Sequence, residues 1–176
     1  MASITKMILA IAVVAVVALG AVGIYMAVSS SSSTGKVTIM VKDLPAEWAH
    51  VNVTFSEVRI HQAETNNSGW INLSMPGGSI DLKALVNISE LLASGNVGTG
   101  KYTQIRIVVD SVVGTLANGA LVNFTVPSGE LKINHPFNVT AGETTTLTVD
   151  IDLSKSIIEN HSGWKFKPVL GSITQG

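Results

Sequence analysis

From Lys36 onward the chain alternates apolar and polar residues with a period of two, the pattern of strands that bury one face. Val37, Ile39 and Val41 point one way, and Thr38, Met40 and Lys42 the other. Ile105, Ile107 and Val109 oppose Gln104, Arg106 and Asp110, with Val108 as the exception. The same rhythm runs through Val122, Phe124 and Val126, through Leu147, Val149, Ile151 and Leu153, and through Trp164 and Phe166. Turn-forming residues separate these runs at Pro76-Gly77-Gly78, Asn118-Gly119, Pro127-Ser128-Gly129, Ala141-Gly142 and Ser162-Gly163. Asn118-Gly119, between Leu116 and Val122, predicts a hairpin. One run changes phase: Val51, Val53 and Phe55 are apolar at odd positions, Val58 and Ile60 at even ones. A strand that keeps one face buried cannot do this without an extra residue, so a bulge or sharp bend is expected at Ser56-Glu57. Leu82, Leu85, Val86, Leu91 and Leu92 have roughly helical spacing, with Asp81 placed to start and Gly95 to end one or two short turns over an open end of the sheets. The prediction is an all-β fold: a β-sandwich of seven to nine strands with a short helical insertion. A body of about 140 residues buries roughly two-thirds of its unfolded surface, enough to fold without a metal or disulfide.

The amino-terminal region is different. Residues 1–6 form a short tail ending in Lys6, and residues 7–28 carry no charge. As a helix this stretch is about 33 Å long, against a hydrocarbon thickness of about 30 Å. It is apolar on every face, and Tyr25 stands near its far end, where an aromatic ring favours the headgroup boundary. Its length exceeds the apolar core of a secretory signal, which favours a retained single-pass anchor. Cleavage at Ala18-Leu19-Gly20 or Ala27-Val28-Ser29 stays open, and Lys6 directly before Met7 fits a pilin-type leader poorly. Lys6 on one side against Lys36 and Lys42 on the other leaves orientation undecided by charge. Residues 29–35, SSSSSTG, read as a flexible spacer, and residues 36–176 as the folded body.

Composition narrows what that body does. Charged residues are 13% of the chain, against roughly 25% in a typical soluble domain, and net charge is −1. There is no basic excess to follow a phosphate backbone, so nucleic acid is not an expected partner. The absence of cysteine excludes a disulfide framework, a thiolate nucleophile and a blue-copper centre. Asn-x-Ser/Thr occurs seven times, at Asn52, Asn66, Asn72, Asn87, Asn123, Asn138 and Asn160. Chance gives about 2 in a chain of this composition. The excess points to N-linked glycans on an extracellular domain, which would hydrate a surface poor in ions.

Catalytic constellations are wanting. His50, His61, His135 and His161 include no i, i+2 pair that would set two ligands on one strand face, so no metal or other cofactor is expected. Asp150 and Asp152 share a strand face and read as solvated beside Lys155, while Ser154 and Lys155 fall on opposite faces. Trp48, Trp70 and Trp164 offer either a carbohydrate-stacking platform or core plugs; Trp164, in phase with Phe166, reads as core.

Several stretches in order carry a resemblance: Val53-Thr-Phe-Ser-Glu-Val-Arg-Ile-His61, Gly69-Trp70-Ile71, Ile80-Asp81-Leu82, Gly100-Lys-Tyr-Thr-Gln-Ile-Arg106, Val126-Pro127-Ser128, His135-Pro136-Phe137, Ala141-Gly142-Glu143-Thr144-Thr145, Asp150-Ile-Asp-Leu153 and Lys167-Pro168-Val169. Together, over about Val37 to Val169, they resemble a domain-of-unknown-function family of archaeal and bacterial envelope proteins. The resemblance implies an exported β-sandwich, often tethered to a membrane, and supplies no catalytic residues. The Gly100-Lys-Tyr-Thr entry is also similar to transthyretin-like sandwiches, an analogy of fold only.

The reading that combines these features is a non-catalytic, membrane-anchored, glycosylated cell-surface domain with a structural or adhesive role. Its partners would be membrane lipid along residues 7–28, its own N-linked glycans, and other surface proteins or further copies of itself. A filament or pilus subunit, and an accessory or binding subunit of a membrane complex that uses the Gly23 and Ala27 pair for helix contact, are the alternatives.

Overall fold

The computed structural model describes residues 33–43, 48–63, 69–85 and 88–176. The predicted anchor at 7–28, Asn66 and Asn87 lie outside the described residues. The described body is all-β, with its strands in two main sheets that form a sandwich. There are twelve strands: β1 (Thr34–Asp43), β2 (His50–Gln62), β3 (Trp70–Asn72), β4 (Ser79–Asp81), β5 (Glu90–Gly98), β6 (Gly100–Thr115), β7 (Leu121–Asn123), β8 (Glu130–Val139), β9 (Thr144–Ile151), β10 (Ile157–Asn160), β11 (Gly163–Phe166) and β12 (Leu170–Gln175). This exceeds the expected seven to nine, because β3, β4 and β7 are three-residue strands too short to show a period. β1 begins at Thr34, so the last two residues of the Ser-rich stretch are strand; Gly35 fits there because a Cβ would meet the Thr140 carbonyl and Val139.

One sheet has the order β12-β9-β1-β5, with β1 and β9 parallel and the other pairs antiparallel. The second is built on the long antiparallel pair β2 and β6; β3 and β4 add to β2, and β7 and β8 to β6. The Ala141-Gly142 turn carries the chain from β8 in one sheet to β9 in the other. The core lies between the two inner faces: Val37, Ile39, Val41, Leu147, Val149 and Ile151 from one, Val51, Val53, Val58, Ile60, Ile105 and Ile107 from the other, all without exposed surface. At one end, Ser74 and Ser94 exchange backbone hydrogen bonds of 3.0 and 2.9 Å, joining the segment after β3 to β5.

The predicted bulge is present. Phe55 opposes Val109 and Glu57 opposes Val108, which leaves Ser56 as the extra residue. A second bulge sits beside it on β6, where Thr54 opposes Ser111 and Phe55 opposes Val109, so that Asp110 is unpaired. The inward set of β6 therefore passes from Ile105, Ile107 and Val109 to Val112 and Gly114. The Asn118-Gly119 hairpin also forms, with Gly119 at φ 84° and its amide 2.9 Å from the Leu116 carbonyl.

Two expectations need correction. Among the described residues the helical turn after Asp81 covers Leu82–Leu85, with the Lys83 amide 3.1 Å from the Asp81 carboxylate. Leu91 and Leu92 belong to β5, and Gly95 lies in the middle of that strand, because pairing with β1 overrides the helical spacing. Asp150 and Asp152 are not solvated: they are 4% and 3% exposed. β9 ends at Ile151, and Leu153–Ser156 is a single helical turn, so Ser154 and Lys155 are not on a strand.

Candidate interaction face

The outward side of the second sheet collects its polar residues on neighbouring strands. The alternation that buries Val58 and Ile60 turns Glu57, Arg59 and His61 outward, and the register sets Arg59 opposite Arg106 on β6 and His61 opposite Trp70 on β3. β8 contributes Glu130. Its carboxylate accepts from Arg59 at 2.8 Å and lies 3.3 Å from Arg106, while Glu57 lies 3.6 Å from Arg59. The Arg106 Nε donates to Gln104 at 2.8 Å, and Gln104 in turn donates to Asn134 at 2.6 Å. Two arginines that would repel across the strands are thus held together by carboxylates. The side chains are about a third exposed, so each pair stabilises by at most about 1 kcal/mol.

Trp70 lies over this lattice. The Arg106 guanidinium sits 4.4 Å from its ring centre, Arg59 5.3 Å, and the His61 ring packs edge-on at 4.9 Å. A tryptophan flanked by planar cations gains about 0.5–1 kcal/mol per contact at a partly exposed site. His61 Nδ1 is 3.2 Å from the Thr103 hydroxyl. The face mixes both charge signs, planar hydrogen-bonding groups and one aromatic ring, a set suited to non-covalent contact.

The three tryptophans do not form one platform. Trp48, 8% exposed, packs edge-on to Trp164 at 4.9 Å and against Phe124 at 5.1 Å, plugging the core where β10 and β11 meet the Phe124 segment. This plug explains Gly114, where a Cβ would fall 2.6 Å from Trp48 and 2.7 Å from Phe124. Only Trp70 is on the outward face, and Arg106 covers part of its ring.

The histidines are spread out. His50 Nδ1 lies 2.7 Å from Asp81, whose other oxygen accepts from the Val51 and Lys83 amides at 3.0 and 3.1 Å. Burial pushes the Asp81 carboxyl upward, but the His50 and backbone hydrogen bonds outweigh it and hold it below the ordinary value. His161 is exposed beside Glu159 and Asn160 in a shallow open depression at the β10–β11 turn. Among the described residues no three His, Cys, Asp or Glu side chains are placed to hold a metal ion.

Asp152 does structural work that strand spacing hid. It caps the turn Leu153–Ser156: its carboxylate accepts from the Ser154 hydroxyl at 2.6 Å and the Lys155 amide at 3.2 Å, and pairs with Lys155 Nζ at 2.7 Å. The Lys155 and Ser154 hydrogen bonds lower its pKa to about 2 against the cost of burial. The repeated polar spacing Asp-x-Asp resembles a solvated strand face; the helix-start pattern Asp-Leu-Ser-Lys was the signal available.

Of the sequon asparagines, Asn72, Asn123 and Asn138 are exposed at positions in β3, β7 and β8. Asn52 is half-buried near the start of β2, between Asp81 and Val113. Asn160 is half-buried at the β10–β11 turn, where its side-chain oxygen accepts from the Ser162 amide at 2.9 Å. None of the seven sequons falls within β1, β5, β9 or β12.

A family model described as a domain of unknown function (DUF4382) matches residues 34–168, the whole sandwich apart from β12. Neither the curated proteins nor the solved structures gave a match.

Proposed function

The chain belongs to the DUF4382 family, and we propose that it is a membrane-anchored, N-glycosylated cell-surface domain with a structural or adhesive role rather than a catalytic one. The observation that carries this reading is the distribution of the sequons. The five in described residues lie on the second sheet or the β10–β11 turn, and the first sheet carries none. The four strands of the first sheet hold one asparagine, Asn96, which lies in no sequon, and the seven sequons of the chain exceed the about 2 that chance gives. Glycans on Asn72, Asn123 and Asn138 would hydrate a body with few charges. Residues 7–28 would hold it to the membrane and 29–33 would space it from the surface. The outward Arg59, Arg106 and Trp70 lattice offers a contact surface for neighbouring envelope polymers or proteins. A transthyretin- or immunoglobulin-like kinship belongs to the same reading. Its support is buried Tyr102, whose hydroxyl donates to the Gly98 carbonyl four residues upstream at 2.9 Å, as a tyrosine corner does.

The test is protease shaving of intact cells followed by peptide mass spectrometry. The reading expects release of peptides from 36–176, with sugar on Asn72, Asn123 or Asn138. A body that stays protected until the cells are lysed would refute it.

A further inference from the structure

The edges of the two sheets are treated unequally. On the second sheet, β3, β4 and β7 are three residues long, and β8 carries Glu130, Lys132 and Pro136. On the first sheet, β5 has a register shift against β1 and is bridged by Ser74. These are the usual ways in which a protein blocks edge-to-edge pairing. β12 also shifts register, between Leu170 and Ser172, but it has none of the other devices. It is six residues, LGSITQ, with no charge, no proline and no sequon, and it pairs only with β9 in its sheet. Gly171, Ser172, Thr174 and Gln175 are exposed.

Its free hydrogen-bonding groups can be placed. Thr146 and Gly176 exchange both backbone bonds, at 3.2 and 3.0 Å. Antiparallel pairs alternate, so Thr174, opposite Thr148, also bonds to β9, whereas Ile173 and Gln175 turn their amides and carbonyls away. Ile173 is half-buried at the rim of the core, with part of its side chain uncovered at the open edge.

We propose that β12 is a self-association edge, pairing antiparallel with β12 of a second copy about a two-fold axis at Ile173. A two-fold pairing sets Ile173 opposite Ile173, where two main-chain bonds form, and brings Gln175 alongside Gly171 at the register shift. The two isoleucines cover one another, and Ser172, whose hydroxyl donates to Asp150 at 3.2 Å, meets Thr174 on the outward face as an acceptor for its hydroxyl. Because the strand is uncharged, no like charges meet, as they would if β8 paired with itself through Glu130 and Lys132. The freedom of the first sheet from sequons leaves room for glycans elsewhere. The contact stands independently of where the protein resides, and it buries little area, so the dimer is expected to be concentration-dependent.

The experiment is mass determination of the full-length chain in detergent by sedimentation, with Gln175→Pro as the test variant. Proline at 175 removes a donor that faces away from β9 and obstructs the partner strand, while leaving the bonds of Thr174 in place. Wild type should sediment at about twice the protomer mass at high concentration and dissociate on dilution; Gln175→Pro should remain a protomer with an unchanged unfolding midpoint. The chain has no cysteine, so a second readout is clean: Ser172→Cys and Thr174→Cys chains, mixed and oxidised, should link to each other and neither to itself. A wild-type protomer throughout the micromolar range, a Gln175→Pro chain that dimerises as wild type does, or a mixture without cross-links would each overturn the proposal.

Discussion

Asp152 anchors the turn Leu153–Ser156 through its carboxylate. Its carboxyl is held at about 2, below the ordinary 3.8, by Lys155 and Ser154. A depressed carboxyl stabilises the fold wherever it is ionised in the folded chain. Its contribution is therefore full above the unfolded value and is lost as pH falls from about 4 to about 2. Asp152→Asn should lose up to about 1 kcal/mol at neutral pH, because Lys155 is largely exposed, and converge on wild type at the acid end, as read from urea midpoints across pH. Gly114 sets a steric limit of a different kind. Gly114→Ala should cost about 1–3 kcal/mol, because a Cβ cannot enter the space held by Trp48 and Phe124. Tyr102→Phe should cost about 1 kcal/mol, since it strands the Gly98 carbonyl while leaving the stack on Phe137 intact. Both are read from denaturant unfolding.

At the scale of elements, the paired bulges on β2 and β6 decide which faces are buried. Removing Ser56 leaves Phe55, Glu57 and Val58 in regular in–out alternation against Val109, Val108 and Ile107, so the deletion should fold, less stably and with a straighter strand. Removing Thr54 instead turns Val51 and Val53 outward and should prevent folding. Circular dichroism and unfolding of the two deletions separate these outcomes. The bulge on β2 was legible because apolar residues change parity around it. Its counterpart at Asp110 was obscured by Val108, an outward valine that blurs the alternation. Pairing partners were less legible: the Arg59, Arg106 and Glu130 lattice depends on the register of β8 on β6. That register is set by the irregularity between Tyr102 and Gln104, opposite His135-Pro136, which no local pattern announces. The outward Arg59 could be read from alternation; the outward place of Trp70, on a three-residue strand, and the joining of two arginines by Glu130 could not. Leu91 and Leu92 show the reverse failure, where a helical spacing yields to strand pairing with β1.

For the molecule as a whole, the two sheets divide the work. The second carries four of the five sequons in described residues, the arginine–tryptophan lattice and the very short edge strands; the first carries a threonine-rich outward face and an open β12. The proposed exported glycoprotein would use both, with sugar on the second sheet and protein contact at β12. The intact mass of the chain isolated from its native membranes tests this most directly. The account predicts a mass above 18.4 kDa by whole glycan increments, with residues 7–28 still attached and the increments lost when Asn72, Asn123 and Asn138 are replaced by Gln. A bare chain at the unmodified mass would contradict it.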